Sequence, residues 1–90
     1  MTNSTSSTTL FKFSAPWCAP CRAMKPVVEK VLAEFADINY VDVNIDEDPE
    51  MAVKHGVRAI PTLILVNEQG ARRLVGSATA EQVKEFLSQT

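Results

Sequence analysis

The sequence predicts an α/β fold in which a four-stranded mixed sheet is flanked by three helices, in the order β-α-β-α-β-β-α. Three observations carry this expectation. An apolar run, a long amphipathic pattern and a second apolar run follow one another with short connections, which implies a right-handed βαβ unit with parallel strands. "NEQG" separates two further strand-like runs as a hairpin turn, so those two strands are antiparallel. Thr79-Ala80-Glu81-Gln82 is a capping-box signature that opens a closing helix. Helices on both faces of the sheet bury the apolar sides of all these elements.

The elements are justified in order. Residues 1–8 belong to a polar, low-complexity stretch, "MTNSTSSTT", expected to be a frayed, disordered tail; the domain then runs over 9–90. The match of Asn3-Ser4-Thr5 to a glycosylation sequon is read as chance. Thr9 to Ser14 reads as a short buried strand, and Ala15-Pro16 breaks it. A helical pattern follows from about Ala19 to Phe35. Met24, Val27, Val28, Val31, Leu32 and Phe35 recur at helical steps and form one apolar stripe. Pro26 sits inside that stripe and is expected to kink the helix, because it lacks the N–H its turn would use. "INYVDVNI", residues 38–45, reads as the second strand. Asp48 is an N-cap with Pro49 at the first helical position, and Gly56 stops that short helix. "TLILV", residues 62–66, is the third strand and "ARRLVG" the fourth. In the closing helix Val83, Phe86 and Leu87 are expected to face inward.

Length and composition narrow the function classes. Ninety residues suit one small domain, and no internal repeat or linker divides them. A net charge of −2 argues against a nucleic-acid or anionic-membrane surface as the main partner. No apolar run approaches the roughly 20 residues needed to span a bilayer. The opening residues lack a cationic region followed by an apolar one, so no export signal is read. Two cysteines are too few for a secreted disulfide scaffold. A reducing, cytoplasmic address is the expectation.

Both cysteines, the single tryptophan and three of the five prolines fall in "SAPWCAPCRAMKP", residues 14–26. Cys18 lies where a strand ends and a helix begins, facing the unpaired N–H groups and positive dipole end of that helix. That setting favours the thiolate, which is the nucleophilic form. Arg22 and Lys25 add positive charge nearby. Cys21 is one helical turn deeper and close enough to bond to Cys18. Cys18 can therefore attack a substrate disulfide to give a mixed disulfide, which Cys21 resolves by attacking Cys18. A structural zinc site needs four ligands; beyond the two cysteines only His55 is of the usual type, so no metal is expected.

These residues resemble the thioredoxin family. The resemblance rests on Trp17-Cys18-Ala19-Pro20-Cys21, Pro26, "VDVNIDEDP", "HGVRAIPTLILV", Gly76 and the closing helix, and covers about residues 9–90. It implies that Trp17 is the aromatic covering the site, Cys18 the attacking thiol and Cys21 the resolving thiol. Pro61 resembles the family's cis-proline; with Ala59 and Ile60 it would offer backbone to an extended substrate segment. Val75 and Gly76 resemble the third wall of that groove. A proline entering an apolar strand must in any case sit at its first residue or at an edge.

The sequence departs from the family twice. The usual fold opens with a further strand and helix for which this chain has no residues, so the expected form is close to the minimal four-stranded one, as in glutaredoxins. The family's buried acidic residue, in the strand before the cysteines, is replaced by Lys12, and the lysine that lies near it in the next strand is replaced by Asp42. An unpaired ammonium in the core is costly, so Lys12 either pairs with Asp42 or snorkels to the surface left by the missing helix. The family's acid is thought to help deprotonate the resolving cysteine. Asp42 or a water is then the candidate for that work, and a cationic Lys12 would favour the Cys21 thiolate directly.

The function these features imply is a thiol–disulfide oxidoreductase that reduces protein disulfides, uses no bound cofactor and is recharged by a thioredoxin-reductase-like donor. It is expected to act as a monomer. Two alternatives are a glutaredoxin-like, glutathione-dependent reductase and a docking or assembly subunit that uses the fold as a binding surface.

Overall fold

The computed structural model describes residues 7–88. The tail expected over 1–8 lies, up to residue 6, outside the described residues. The elements are β1 (Thr8–Ser14), α1 (Ala19–Leu32), β2 (Ile38–Asn44), α2 (Pro49–Lys54), β3 (Thr62–Asn67), β4 (Gly70–Val75) and α3 (Ala80–Ser88). The strands form one sheet in the order β2-β1-β3-β4. β1 runs parallel to β2 and antiparallel to β3, and β3 is antiparallel to β4. The mixed sheet with three helices is the architecture expected from the βαβ unit and the hairpin.

Alternation along β1 splits the core in two. Leu10 faces α1 and α3, where Leu63 and Leu65 pack with Met24, Val28, Val31, Val83, Phe86 and Leu87. Burying each such side chain contributes about 1.5–3 kcal/mol. Phe13 faces the other way and packs with Val43 and Ile64. The short helix α2 contributes Met51 and Ala52 to that second cluster, with His55 just beyond its end resting on the rings of Phe11 and Phe13, centroids 5.0 and 5.6 Å away.

The local signals act as their chemistry requires. The Asp48 carboxylate accepts the Met51 N–H at 3.3 Å and caps α2. The Thr79 hydroxyl accepts the Gln82 N–H at 3.1 Å while the Gln82 side-chain oxygen accepts the Thr79 N–H at 2.8 Å, closing the capping box. Gly56 leaves α2 with φ +65°, a left-handed conformation that a glycine adopts without penalty. Helix α1 ends at Leu32, three residues short of the periodicity's end. The Glu34 and Phe35 N–H groups bond instead to the Val31 and Leu32 carbonyls, a tighter turn that still delivers Phe35 to the first cluster. β1 starts one residue earlier than expected, at Thr8, β2 stops at Asn44, and β4 spans 70–75, one residue earlier at each end than the 71–76 expected.

Candidate active site

The end of β1 and the start of α1 build the site. Ala15, Cys18 and Cys21 form a small buried cluster against Ile45 and Ile60. Cys18 is the N-cap of α1, with extended backbone angles, and its sulfur accepts the Cys21 N–H at 3.3 Å. A cap must accept one of the unpaired N–H groups of the first turn, and here a sulfur takes that place. The Cys18 N–H donates to the Ala15 carbonyl at 3.1 Å, which holds the loop closed. Cys18 and Cys21 are joined as a disulfide, with their Cα atoms 5.2 Å apart. Cys18 is 7% exposed and Cys21 2%, so both are buried and Cys18 is the slightly more accessible of the two.

One loop touches the cysteine cluster and a second segment is bonded to that loop. Ile60, from the loop before β3, touches the cysteine cluster, and the Ile60–Pro61 peptide is cis. The Thr62 hydroxyl ties this loop by donating to the Ala59 carbonyl at 2.6 Å. The Gly76 N–H donates to the Pro61 carbonyl at 2.8 Å, which joins the end of β4 to the same loop, and Val75 presents an exposed side chain beside it. Trp17 is 65% exposed; its indole N–H donates to the Asp46 carboxylate at 2.9 Å. Asp46 belongs to the acidic run at 46–50, which by composition alone reads as a solvated loop with a capping role. Nothing in the local spacing marks it as the partner of Trp17.

Behind the disulfide, Lys12 is 2% exposed. Its register partner on β2 is Asp42, and its ammonium donates to the Asp42 carboxylate at 3.2 Å and to the Ser14 hydroxyl at 3.3 Å. The pairing alternative therefore holds over snorkelling. Asp42 is the more accessible end, 35% exposed, and its second oxygen lies 3.8 Å from Lys25. Glu29 and, more weakly, Asp42 raise the pKa of the exposed Lys25 ammonium above its usual value. A cleft of about 270 Å³ runs along this side, lined among others by Lys12, Ser14, Cys21, Arg22, Lys25 and Asp42. Among the described residues, no three His, Cys, Asp or Glu side chains come together to hold a metal ion.

Comparison with known proteins agrees with this arrangement. The thioredoxin family model matches residues 2–89. The chain is 38% identical to a thioredoxin of Haemophilus influenzae over 82 residues, which is 89% of this chain and 77% of that protein. It is 43% identical to thioredoxin 1 of Synechococcus elongatus over 60 residues, 66% of this chain and 56% of the relative. Among solved structures, a variant thioredoxin from Halobacterium salinarum superposes with a TM-score of 0.83 at 33% identity, covering 93% of this chain and 74% of that one. A family model spanning nearly the whole chain, the shared fold and a cysteine pair at the head of α1 agree: the chain belongs to the thioredoxin family of thiol–disulfide oxidoreductases.

Proposed function

We propose that this protein reduces protein disulfides, with Cys18 as nucleophile and Cys21 as resolving thiol. The observation that carries the reading is the Cys18–Cys21 pair at the α1 N-terminus, with Cys18 as the cap and the more accessible sulfur. In the reduced form the Cys18 thiolate, favoured by the helix N-terminus, attacks a substrate disulfide. The Cys21 thiolate then attacks the Cys18 sulfur, the mixed disulfide breaks, and the Cys18–Cys21 bond forms. The substrate leaves as a dithiol after taking up two protons, and the pair carries its two-electron oxidation back to the donor.

The backbone at Ala59, Ile60 and Pro61, with Trp17 on one flank and Val75 and Gly76 on the other, forms the groove for an extended substrate segment. Exposed apolar surface at Trp17 and Val75 around a small redox centre suits that use. We assign the electron donor to the thioredoxin-reductase class and the setting to a reducing compartment, the cytoplasm, with the protein acting as a monomer. Among the described residues, no helix is long and apolar enough to cross a membrane.

The test is reduction of an insulin-type disulfide by wild type and Cys18→Ser, with thioredoxin reductase or glutathione as the source of electrons. Turnover by wild type with the reductase, and none by Cys18→Ser, is expected. Turnover with glutathione alone points to the glutaredoxin-like reading, and an effect on a partner that survives loss of both thiols points to docking.

A further inference from the structure

The cleft beside Cys21 holds a cation at its base, and the disulfide mechanism above leaves that cation without a task. Four charged side chains line the cleft: Lys12 from β1, Asp42 from β2, and Arg22 and Lys25 from α1. Arg22 is exposed and spends a donor on the Pro16 carbonyl at 2.7 Å. Lys25 is exposed and held by Glu29 at 3.0 Å. Water screens both of them, and salt screens them further. Lys12 differs because it is 2% exposed, so its field on neighbouring groups acts through protein.

Its direction matters as much as its burial. The ammonium reaches forward along β1 to the Ser14 hydroxyl, next to Ala15 of the cysteine cluster. Asp42 holds the same ammonium from the side that opens to solvent. Lys12 is thus the buried member of the pair and Asp42 the one open to water, and both line the cleft with Cys21. An ammonium has three N–H donors; Asp42 and Ser14 take two, which leaves one for a sulfur that becomes anionic.

We propose that Lys12 is a positioning residue for the resolving half-reaction, whose buried ammonium favours the Cys21 thiolate and so speeds its attack on the Cys18 sulfur of the mixed disulfide. This rests on the reading of Cys21 as the resolving thiol. The Cys21 proton leaves to water in the cleft, which at about 270 Å³ has room for several water molecules. The thiolate then displaces the substrate sulfur, which leaves as a thiolate and takes a proton from solvent. Asp42 anchors the Lys12 ammonium in its buried place, and the pair does this without any carboxylate on β1.

The test follows the Cys21 ¹³Cβ resonance against pH in the reduced protein, alongside disulfide reduction by the same samples. Lys12→Met keeps the length of the side chain and removes the charge. It is expected to raise the Cys21 midpoint by about one unit or more and to slow resolution by up to about tenfold, seen as accumulated mixed disulfide. Asp42→Asn moves the midpoint the other way. The double exchange of Lys12→Asp with Asp42→Lys retains an ion pair across the two strands, yet raises the midpoint at least as far as Lys12→Met. These shifts persist in roughly 1 M salt, where the contributions of Arg22 and Lys25 fade. Should Lys12→Met fail to fold, Asp42→Asn and the double exchange carry the test. A midpoint unmoved in the folded variants, or moved only in low salt, overturns the proposal while wild-type turnover upholds the reductase reading. A midpoint that moves in a protein that reduces no disulfide overturns the role in resolution together with the reductase reading.

Discussion

Cys18 and Cys21 share one bond but sit in different surroundings, and the difference predicts what each substitution does. Cys18 caps α1 and is the more exposed of the two; on the proposed mechanism no mixed disulfide forms without it. Cys21→Ser leaves the first attack intact and removes the second, so a mixed disulfide with substrate accumulates and is seen by mass spectrometry as an adduct on Cys18. Trp17 is the only tryptophan of the chain, which makes its fluorescence a local probe. Asp46→Ala takes away the acceptor of its indole N–H; a change in emission is expected with a stability loss of no more than about 1 kcal/mol, because the bond is exposed. Tyr40, also the only one of its type, has a hydroxyl that is buried and without a partner. Burial, then the charges of Asp42 and Glu29, raise its pKa above the ordinary phenol value of 10.0. The folded state therefore keeps a proton that the unfolded state gives up. The associated stability is complete below pH 10 and declines as pH rises beyond it. Absorbance of the phenolate near 295 nm should stay low in the folded protein above pH 10 and appear on unfolding.

At the scale of the element, the closing helix shows how a sequence signal becomes a measurable free energy. The Thr79 hydroxyl satisfies the Gln82 N–H at the start of α3. Thr79→Ala removes that bond and is expected to lower unfolding free energy by about 1 kcal/mol in urea denaturation, with disulfide reduction unchanged. The capping box, the Asp48-Pro49 start and the hairpin at residues 67–70 were legible because each is a chemical event within four residues. The end of α1 was not. Phe35 continues the apolar spacing past Leu32, so the periodicity says helix while the backbone has already turned tighter. Lys12 opposite Asp42 was legible through the resemblance, as an exchange of the family's buried acid and its neighbouring lysine, while strand alternation alone puts Ser14 on the same face as Lys12. Trp17 with Asp46 was not, since that contact joins two loops whose approach depends on the whole βαβ unit. The same holds for Arg73, which reaches from β4 to the carbonyls of His55 and Gly56 at the end of α2.

At the scale of the molecule, the two faces of the sheet are unequally covered. Two helices cover one face, and the other carries the six-residue α2, leaving Phe11 half-buried and Val41 and Val53 exposed. In a domain of this size each kilocalorie counts. The Cys18–Cys21 bond closes a loop between residues three apart, for which chain entropy gives about 2 kcal/mol. Reduction is expected to lower the Tm by roughly 10 °C, measured by calorimetry with and without a strong reductant.

The order β2-β1-β3-β4 has a consequence for how the chain is made. β1, one of the two inner strands, is synthesised before the other three, yet Thr9 finds its antiparallel partner only at Val66. Contacts so distant in sequence form late, and synthesis delivers the N-terminal end first. Cys18 and Cys21 therefore emerge as free thiols well before Ile60 arrives to close over them. For that interval the nascent chain carries a reactive thiol pair with no frame around it, and the reducing power of its surroundings decides whether the pair survives to work.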